Sequence, residues 1–256
     1  MNIVCIGSGN IGTHLSKAFF SLGHHISQIY SHTSANAKAL AEVVMADSFT
    51  DNIHDLLVSA DLYIIAVSDK AIQQIVENLP NKLQGLVVHT SGATDINVLD
   101  KFENYGVIYP PQSINKNIET DLAKIPFCIE ANSEKNLDRL MGIMQEISSH
   151  NLPCSSHQRL ALHISAVLVN NFTNSLYQIA YDILSEQNLS FDLLKPIISE
   201  TAEKIKNHIP KDVQTGPAIR NDQITINKHL QFLSNSKDIS KIYQDLTEFI
   251  IKRSHK

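Results

Sequence analysis

Cysteine, tryptophan and surplus positive charge are all scarce or missing in this sequence. It has three cysteines, no tryptophan and a formal net charge of −5. Cys5, Cys128 and Cys154 are too few and too widely spaced for a disulfide framework, which favours a reducing compartment and a cytoplasmic protein. Because the chain offers no broad cationic surface, nucleic acid is not an expected partner.

Long apolar runs are missing as well. The longest, such as "LYIIAV", have the length of a buried strand and are too short to span a membrane, so no membrane partner is expected. The chain has 12 histidines, but no set of His, Asp and Glu has the spacing of metal ligands, and we predict no metal. The remaining expectation is a globular protein whose partner is a small-molecule substrate.

The first half of the chain contains alternating apolar strands and amphipathic segments. Strands such as "NIVCIG" and "ADLYIIAVS" are apolar throughout, which is typical of a parallel sheet covered on both faces. From Ser156 the strand signals stop, and residues 155–187 contain no proline or glycine, which predicts one unusually long helix. We therefore predict an α/β fold: a Rossmann-type doubly wound, mostly parallel sheet over residues 1–154 and an all-helical domain over residues 155–256.

Three glycines follow the first strand in a G-x-G-x-x-G pattern and open a helix. In that context the first glycine permits a tight turn, the second lets a pyrophosphate approach the backbone, and the third allows close helix–strand packing. The end of the strand "LYIIAVS" should meet the same crevice, although Ser68 and Asp69 could equally cap the next helix. The predicted dinucleotide contacts of these two elements are Gly7, Ser8, Gly9, Asn10, Ile11, Gly12, Val67 and Ser68.

The end of the second strand bears on the choice between NAD and NADP. Chains that bind NAD carry an acidic residue about 20 residues after the glycine turn, whereas this chain has Ser31, His32 and Thr33 there. With no carboxylate to repel a 2′-phosphate, these side chains could bind one, so NADP is the predicted cofactor and NAD the alternative. No arginine precedes Arg139, so the usual guanidinium clamp is absent.

Several motifs resemble known families. "IGSGNIGTHLSKAF", "ADLYIIAVSDKAI" and "VVHTSGA" resemble the cofactor domain of pyrroline-5-carboxylate reductases and β-hydroxyacid dehydrogenases. "HISAVLVNNF" and "TGPAIRNDQITINKHL" resemble Rossmann-like proteins with a DUF2520 C-terminal domain. The resemblance implies an NADP-binding, oxidoreductase-like protein. Its helical second domain would be similar to that of 6-phosphogluconate dehydrogenase and would form a homodimer.

The long helix holds the candidate catalytic residues. The β-hydroxyacid dehydrogenases carry a lysine four residues before a functional asparagine; here the asparagine matches Asn171, but Val167 stands at the lysine. At about 100° per residue, His163, Asn170 and Asn174 share one face of the helix. His163 is the predicted general acid/base, and Asn170 or Asn171 would orient a substrate carbonyl. The alternative is that these groups bond to neighbouring helices or to a dimer partner.

Two loops supply further candidates for substrate binding, together with Asn174. Ser91 and Gly92 resemble a serine-glycine substrate loop whose N–H groups hold a carboxylate, although an ordinary turn is the alternative. His89 precedes them and is also a candidate, with a structural role as the alternative. Arg220 would bind an anionic substrate or, as we favour, pair with Asp222 and brace its loop.

Together these features predict an NADP-dependent oxidoreductase. Its substrate would be a small carbonyl, imine or hydroxyacid compound bound in a cleft between the two domains. The alternative is an NADP(H)-binding sensor without turnover, which the missing lysine favours. A third, weaker possibility is a fold that binds neither nucleotide.

Overall fold

The protein forms two compact units in a computed structural model that describes residues 1–254. The first unit is Met1–Asn171 and the second is Phe172–Lys256. The predicted domain division after residue 154 stays a prediction, and the first compact unit includes the helix that follows that position.

An eight-stranded sheet forms the centre of the first unit. Its strand order is β3-β2-β1-β4-β5-β6-β7-β8. Strand β7 is antiparallel to β6, and the other neighbouring pairs are parallel. The predicted Rossmann-type, mostly parallel sheet is therefore confirmed. The strands are β1 Asn2–Ile6, β2 His25–Tyr30, β3 Ser48–Thr50, β4 Leu62–Ile65, β5 Leu86–His89, β6 Tyr105–Tyr109, β7 Phe127–Ala131 and β8 Asn151–Pro153.

Helices follow or connect these strands. The α-helices are α1 Asn10–Ser21, α2 Ser34–Val43, α3 Asp69–Asn78, α4 Glu134–Gln145, α5 Ser156–Ala166, α6 Thr173–Glu186, α7 Lys195–Asn207, α8 Gln223–Phe232 and α9 Lys237–Ser254. Short 3₁₀ turns occur at Ile53–Asp55, Ile96–Leu99, Leu122–Lys124, Phe191–Leu194 and Pro210–Val213. Within the part of the chain that is described, no helix has the length and apolarity needed to cross a membrane.

The sheet buries apolar side chains on both faces. In β1, Ile3 and Cys5 belong to one buried cluster, whereas Val4 and Ile6 belong to another. Successive side chains of a strand point to opposite faces, so the strand must be apolar at every position to bury both. This is why the apolar runs in the sequence predicted the central strands correctly.

The long predicted helix differs in one respect. Between α5 and α6 the backbone adopts a π-helix over Val167–Phe172. A π-turn closes i→i+5 hydrogen bonds and adds a residue to the turn. The constant rotation of 100° per residue that was assumed from His163 to Asn174 therefore does not hold across this segment. The short strand β8 was not predicted, because its three residues carry no strand pattern.

Candidate functional site

The glycine turn between β1 and α1 has the geometry that its pattern predicts. Gly7 has φ of +119°, and a Cβ on it would lie 2.3 Å from the carbonyl oxygen of Ala66. A Cβ on Gly12 would lie 2.1 Å from the carbonyl oxygen of Gly7. A Cβ on Gly9 would meet only the Ala66 oxygen, at 3.9 Å. The fold therefore requires Gly7 and Gly12, whereas Gly9 keeps open space clear beside the turn.

That space is a cavity of about 930 Å³ at the carboxyl ends of β1, β2 and β4. It lies where the strand order reverses between β1 and β4, the place where doubly wound sheets bind dinucleotides. Of the predicted cofactor contacts, Gly7, Ser8, Gly9, Asn10, Ile11, Ser31, His32, Val67 and Ser68 line it. Gly12 packs behind the turn and Thr33 is the N-cap residue of α2, and neither is among the lining residues.

The first cavity is lined by cations and by no carboxylate among residues 1–254. Lys70, Lys116 and His32 are its basic residues. The Oγ of Ser8 donates to the Oγ of Ser31 over 2.9 Å, which ties the glycine turn to the end of β2. A cavity of this charge fits an anionic ligand, and the N-terminus of α1 adds backbone N–H groups.

The two lysines were not predicted. Lys70 is the second residue of α3 and comes two residues after the strand end "AVS". Its position near a predicted cofactor contact could have identified it from the sequence. Lys116 lies in the long connection after β6. Its backbone N–H donates to Asn10 Oδ1 over 3.0 Å. A contact across 106 residues leaves no local signal in the sequence.

A second cavity of about 470 Å³ adjoins the first. The two share Asn10, Ile11, Val67 and Thr90 as lining residues. The second cavity also brings together the predicted site residues Ser91, Gly92, His163, Asn170 and Asn171, all of which line it within the first unit. Both consecutive asparagines lie within the π-helix Val167–Phe172.

His163 and Tyr109 form the polar centre of the second cavity. The Tyr109 hydroxyl lies 3.1 Å from His163 Nδ1, and the two rings meet edge to face with centroids 5.9 Å apart. A Cβ on Gly92 would lie 2.8 Å from ring atoms of both residues, so only glycine allows this packing. Burial raises the pKa of Tyr109 to about 12, with smaller contributions from Cys128 and Asp69, so the phenol keeps its proton near neutral pH.

The hydrogen bond between Tyr109 and His163 can run in either direction. The neutral phenol can donate to Nδ1 of a neutral imidazole, which places the imidazole proton on Nε2. It can also accept a hydrogen bond from Nδ1 of a protonated imidazole. Tyr109 was not predicted, although it begins the proline-rich exit of β6 that the sequence shows as "YPPQS".

Internal hydrogen bonds stabilise the loop after β5. The Ser91 N–H donates to His89 Nδ1 over 3.2 Å. The N–H groups of Ala93 and Thr94 donate to Ser91 Oγ over 3.1 and 2.9 Å. Three N–H groups of this region are therefore already bonded within the protein, and the predicted carboxylate site at Ser91 and Gly92 stays a prediction.

His89 lies in the interior of the first unit. It is fully buried beneath the loop and is not among the residues lining either cavity. Burial, assisted by the charge of Arg159, lowers its pKa to about 3, so it is neutral near neutral pH. Because the side chain has no exposed surface, the structure favours the structural alternative, and the predicted contact with a substrate stays a prediction.

Arg159 fixes the loop from below and was not predicted. Its side chain is 1% exposed, and its Nε donates to the carbonyl oxygen of Ser91 over 3.1 Å. Its other guanidinium nitrogens bind the carbonyl oxygen of Thr94 and the carboxylate of Glu130. The Glu130 carboxylate also accepts from the N–H and the Oγ of Ser156, each over 2.8 Å. The network therefore joins β7, α5 and the Ser-Gly loop.

The remaining candidates lie in the second unit. Asn174, in α6, and Arg220 are both exposed, and their predicted roles in substrate binding stay predictions. Asp222 forms no ion pair with Arg220 within 4.0 Å; its carboxylate caps α8 by accepting from the N–H and Oγ1 of Thr225 over 3.0 and 2.7 Å. These bonds lower the pKa of Asp222, and the charge of Arg220 adds a smaller contribution. The predicted Arg220–Asp222 brace is therefore replaced by a helix cap.

Metal ligands are not grouped anywhere in the described part of the chain. No cluster of three or more His, Cys, Asp or Glu side chains could hold an ion there.

Comparisons with known proteins agree with this architecture. A protein of Bacteroides fragilis, whose proposed activity is that of an NADP oxidoreductase, has 38% identity and a TM-score of 0.87 over 98% of both chains. The fold is also similar to an imine reductase of Myxococcus stipitatus in complex with NADP⁺, with 13% identity and a TM-score of 0.69 over 100% of this chain and 93% of the other. A 1-pyrroline-5-carboxylate reductase of Streptococcus pyogenes has 13% identity and a TM-score of 0.64 over 98% of each chain. No curated protein matches the chain.

Two family models match the sequence directly. A Rossmann-like domain covers residues 1–114, and the domain of unknown function DUF2520 covers residues 125–250. The glycine turn and its cavity lie in the first of these, and His163, Asn170 and Asn171 lie in the second. The chain belongs to the family of Rossmann-like proteins that carry a DUF2520 domain.

Proposed function

We propose that this protein is an NADP-dependent oxidoreductase that reduces a small compound at a C=O or C=N bond. The observation that carries the proposal is the junction of the two cavities. A cavity with the chemistry of a dinucleotide site opens into one that holds a His–Tyr pair, and both are lined by Asn10, Ile11, Val67 and Thr90.

The residues of the first cavity fit NADP. Gly9 leaves the backbone accessible to a pyrophosphate, and the N-terminus of α1 favours its negative charge. Ser31 and His32 are placed at the end of β2, where no carboxylate opposes a 2′-phosphate, and Lys70 and Lys116 add positive charge to the same cavity. The B. fragilis relative and the NADP⁺ complex of the imine reductase support the same cofactor.

When bound, the reduced cofactor supplies a hydride to the second cavity. His163 then serves as the proton donor: its Nδ1 is held by Tyr109, which leaves Nε2 for the substrate. The amides of Asn170 and Asn171 line the same cavity and can orient the oxygen or nitrogen of the double bond through hydrogen bonds. Gly92 supports the donor indirectly, because its lack of a side chain lets the two rings approach.

A second candidate function rests on Val167. This residue lines the second cavity at the position where β-hydroxyacid dehydrogenases carry a lysine, and an apolar side chain cannot transfer a proton. A sensor that binds NADP(H) without turnover is the function that this substitution favours.

The replacement His163→Ala separates the two functions. We expect purified protein to bind NADPH and to oxidise it in the presence of at least one member of a panel of small ketones, keto acids and imines. The variant should lose roughly 100-fold or more in kcat, which is the usual effect of removing a general acid, while its Kd for NADPH stays unchanged. His157→Ala is the matched control, because His157 is exposed on the same helix and lines neither cavity.

Each outcome is informative. Equal turnover by His163→Ala and the unaltered protein would remove His163 from the mechanism. NADPH binding without oxidation across the panel would support the sensor, and absence of NADPH binding would overturn both functions.

A further inference from the structure

The two adjoining cavities have opposite charge. Among described residues the first cavity is lined by two lysines and a histidine and by no Asp or Glu. The second is lined by one carboxylate, Asp69, and by no Lys or Arg. The change of sign occurs between two consecutive residues of α3, Asp69 and Lys70. A single ligand that spans both cavities would therefore be anionic in the first and neutral or cationic in the second.

Arg159 and the backbone of the Ser-Gly loop do not compensate for the lack of a lysine or arginine among the described residues that line the second cavity. The guanidinium of Arg159 lies nearby, but it is buried and its nitrogens bind Ser91, Thr94 and Glu130. The N–H groups of the Ser-Gly loop at Ser91, Ala93 and Thr94 are bonded within the loop. A substrate carboxylate placed there would meet neutral donors such as the amides of Asn170 and Asn171, but no lysine or arginine among the described lining residues would balance its charge.

Asp69 is placed to meet the substrate. It is the first residue of α3, and it lines the cavity together with Tyr109 and His163. Burial is the main cause of the raised pKa of Tyr109, and the charge of Asp69 makes a smaller contribution in the same direction. The remaining lining combines apolar side chains, among them Ile11, Val167 and Val169, with uncharged polar ones such as Asn170 and Asn171. A cavity with one carboxylate, apolar walls and neutral polar groups favours a compound that has a positive charge and a hydrocarbon frame.

We infer that the second cavity takes a cationic nitrogen compound, an iminium ion or the amine formed from it, with the Asp69 carboxylate as its counter-ion. The inference rests on the proposed function and narrows its substrate class. In the reaction, the protonated imidazole of His163 would give a proton to the nitrogen of a neutral imine, so that an N–H bond forms. The resulting iminium ion is the cation that Asp69 balances, and the iminium carbon would then accept a hydride from the reduced nicotinamide. The C=N π bond is lost and a C–H bond forms, so the products are an amine, NADP⁺ and a neutral imidazole. Keto acids and hydroxyacids, which carry a carboxylate, are excluded as good substrates.

Binding of simple probes tests the charge preference without turnover. The probes are piperidinium, its neutral isostere tetrahydropyran, and the anion cyclopentanecarboxylate, each titrated by calorimetry into the full chain saturated with NADP⁺. Piperidinium should bind the tightest, cyclopentanecarboxylate should not bind, and the affinity for piperidinium should fall with added salt.

The variant Asp69→Asn keeps the shape of the side chain and removes its charge. We expect it to bind piperidinium about tenfold more weakly, to lose the salt dependence, and to bind tetrahydropyran as before. Glu134→Gln is the matched control, because Glu134 is also an exposed acid in the first turn of a helix but lines neither cavity. It should leave every affinity unchanged. Any general effect of removing an acid from a helix N-terminus would appear in both variants.

The result that would overturn the inference is tight binding of cyclopentanecarboxylate, or equal binding of piperidinium by Asp69→Asn and the unaltered protein. Either would leave the proposed function standing, provided that NADP⁺ still binds. Loss of NADP⁺ binding in the unaltered protein would instead be a failure of the proposed function. Turnover gives a second readout: the cyclic imine 1-piperideine should be reduced, and Asp69→Asn should raise its KM more than it lowers kcat.

Discussion

At the scale of single residues, the three glycines of the turn have separable roles. Gly7 and Gly12 are required by the backbone itself, because a Cβ on either would lie within 2.3 Å of a carbonyl oxygen. Gly9 has φ of −77°, which any residue adopts, and its surroundings are open. The fold tolerates a side chain at Gly9, whereas a bound pyrophosphate would not.

Alanine substitutions test this separation. Gly9→Ala should keep its free energy of unfolding within about 0.5 kcal/mol of the unaltered protein and weaken NADPH binding at least tenfold. Gly12→Ala should be strongly destabilised, because its Cβ meets backbone that cannot move aside. The measurements are urea unfolding and NADPH titration. Gly142→Ala, in α4 with nothing within 4 Å of its Cβ, is the control and should gain up to about 1 kcal/mol. Normal NADPH binding by Gly9→Ala would contradict the assigned role.

The glycines, Ser31 and Val67 were predictable because their signals are local: a spacing pattern and two strand ends. Tyr109 and Arg159 were not, since their roles depend on partners that are distant in sequence. Tyr109 meets His163 across 54 residues, and Arg159 meets Ser91 across 68. The sequence around a buried arginine in a helix does not differ from that around an exposed one, so the role of Arg159 becomes visible only in the fold.

At the scale of elements, the Arg159–Glu130 pair joins α5 to β7 and holds the Ser-Gly loop. Removing Glu130 leaves the buried guanidinium of Arg159 without its counter-charge, and breaking a buried pair in this way typically costs about 3–5 kcal/mol. Removing Arg159 leaves the carboxylate of Glu130 with the two bonds from Ser156. Replacing both by apolar residues of similar volume is often nearly neutral. The loop would then lose its bonds from the guanidinium but keep those that it forms within itself.

A double-mutant cycle measures the coupling of this pair. Arg159→Met and Glu130→Leu should each lower the free energy of unfolding by roughly 3 kcal/mol or more, and the double variant should be more stable than their sum predicts. Urea unfolding of the four proteins gives the coupling energy. If the single changes are additive, the pair does not act as a unit, and the loop is held by its internal bonds alone.

The π-helix marks the limit of prediction for elements. The absence of proline and glycine predicted a continuous helix from 155 to 187, and helical backbone does run through Ser156–Glu186. The change from α to π at Val167–Phe172 has no counterpart in residue type, because it depends on which hydrogen bonds the backbone selects. The segment coincides with Asn170 and Asn171, in keeping with the frequent occurrence of π-turns at functional sites.

At the scale of the whole molecule, the second unit exposes many large apolar side chains. Exposed large hydrophobic side chains recur along its helices, among them Leu193, Ile197, Ile205, Phe232 and Phe249. Monomeric proteins rarely expose many large apolar side chains to water. The partner that the family resemblance implies is a second copy of the chain. We therefore expect a homodimer formed through the helical unit.

Light scattering after size-exclusion chromatography tests this expectation directly. The chain has a mass of 28.5 kDa, so the dimer should elute with about twice that value. Ile197→Glu places a charge at an exposed apolar position of α7 and should shift the protein to the monomer, because burying an unpaired carboxylate opposes association. Ser199→Glu, an exposed polar position two residues further along α7, is the matched control and should remain dimeric.

Because only the associated form gains stability from the contact, the melting temperature should rise with concentration for the unaltered protein and not for Ile197→Glu. A mass of 28.5 kDa for the unaltered protein at micromolar concentration would contradict the homodimer.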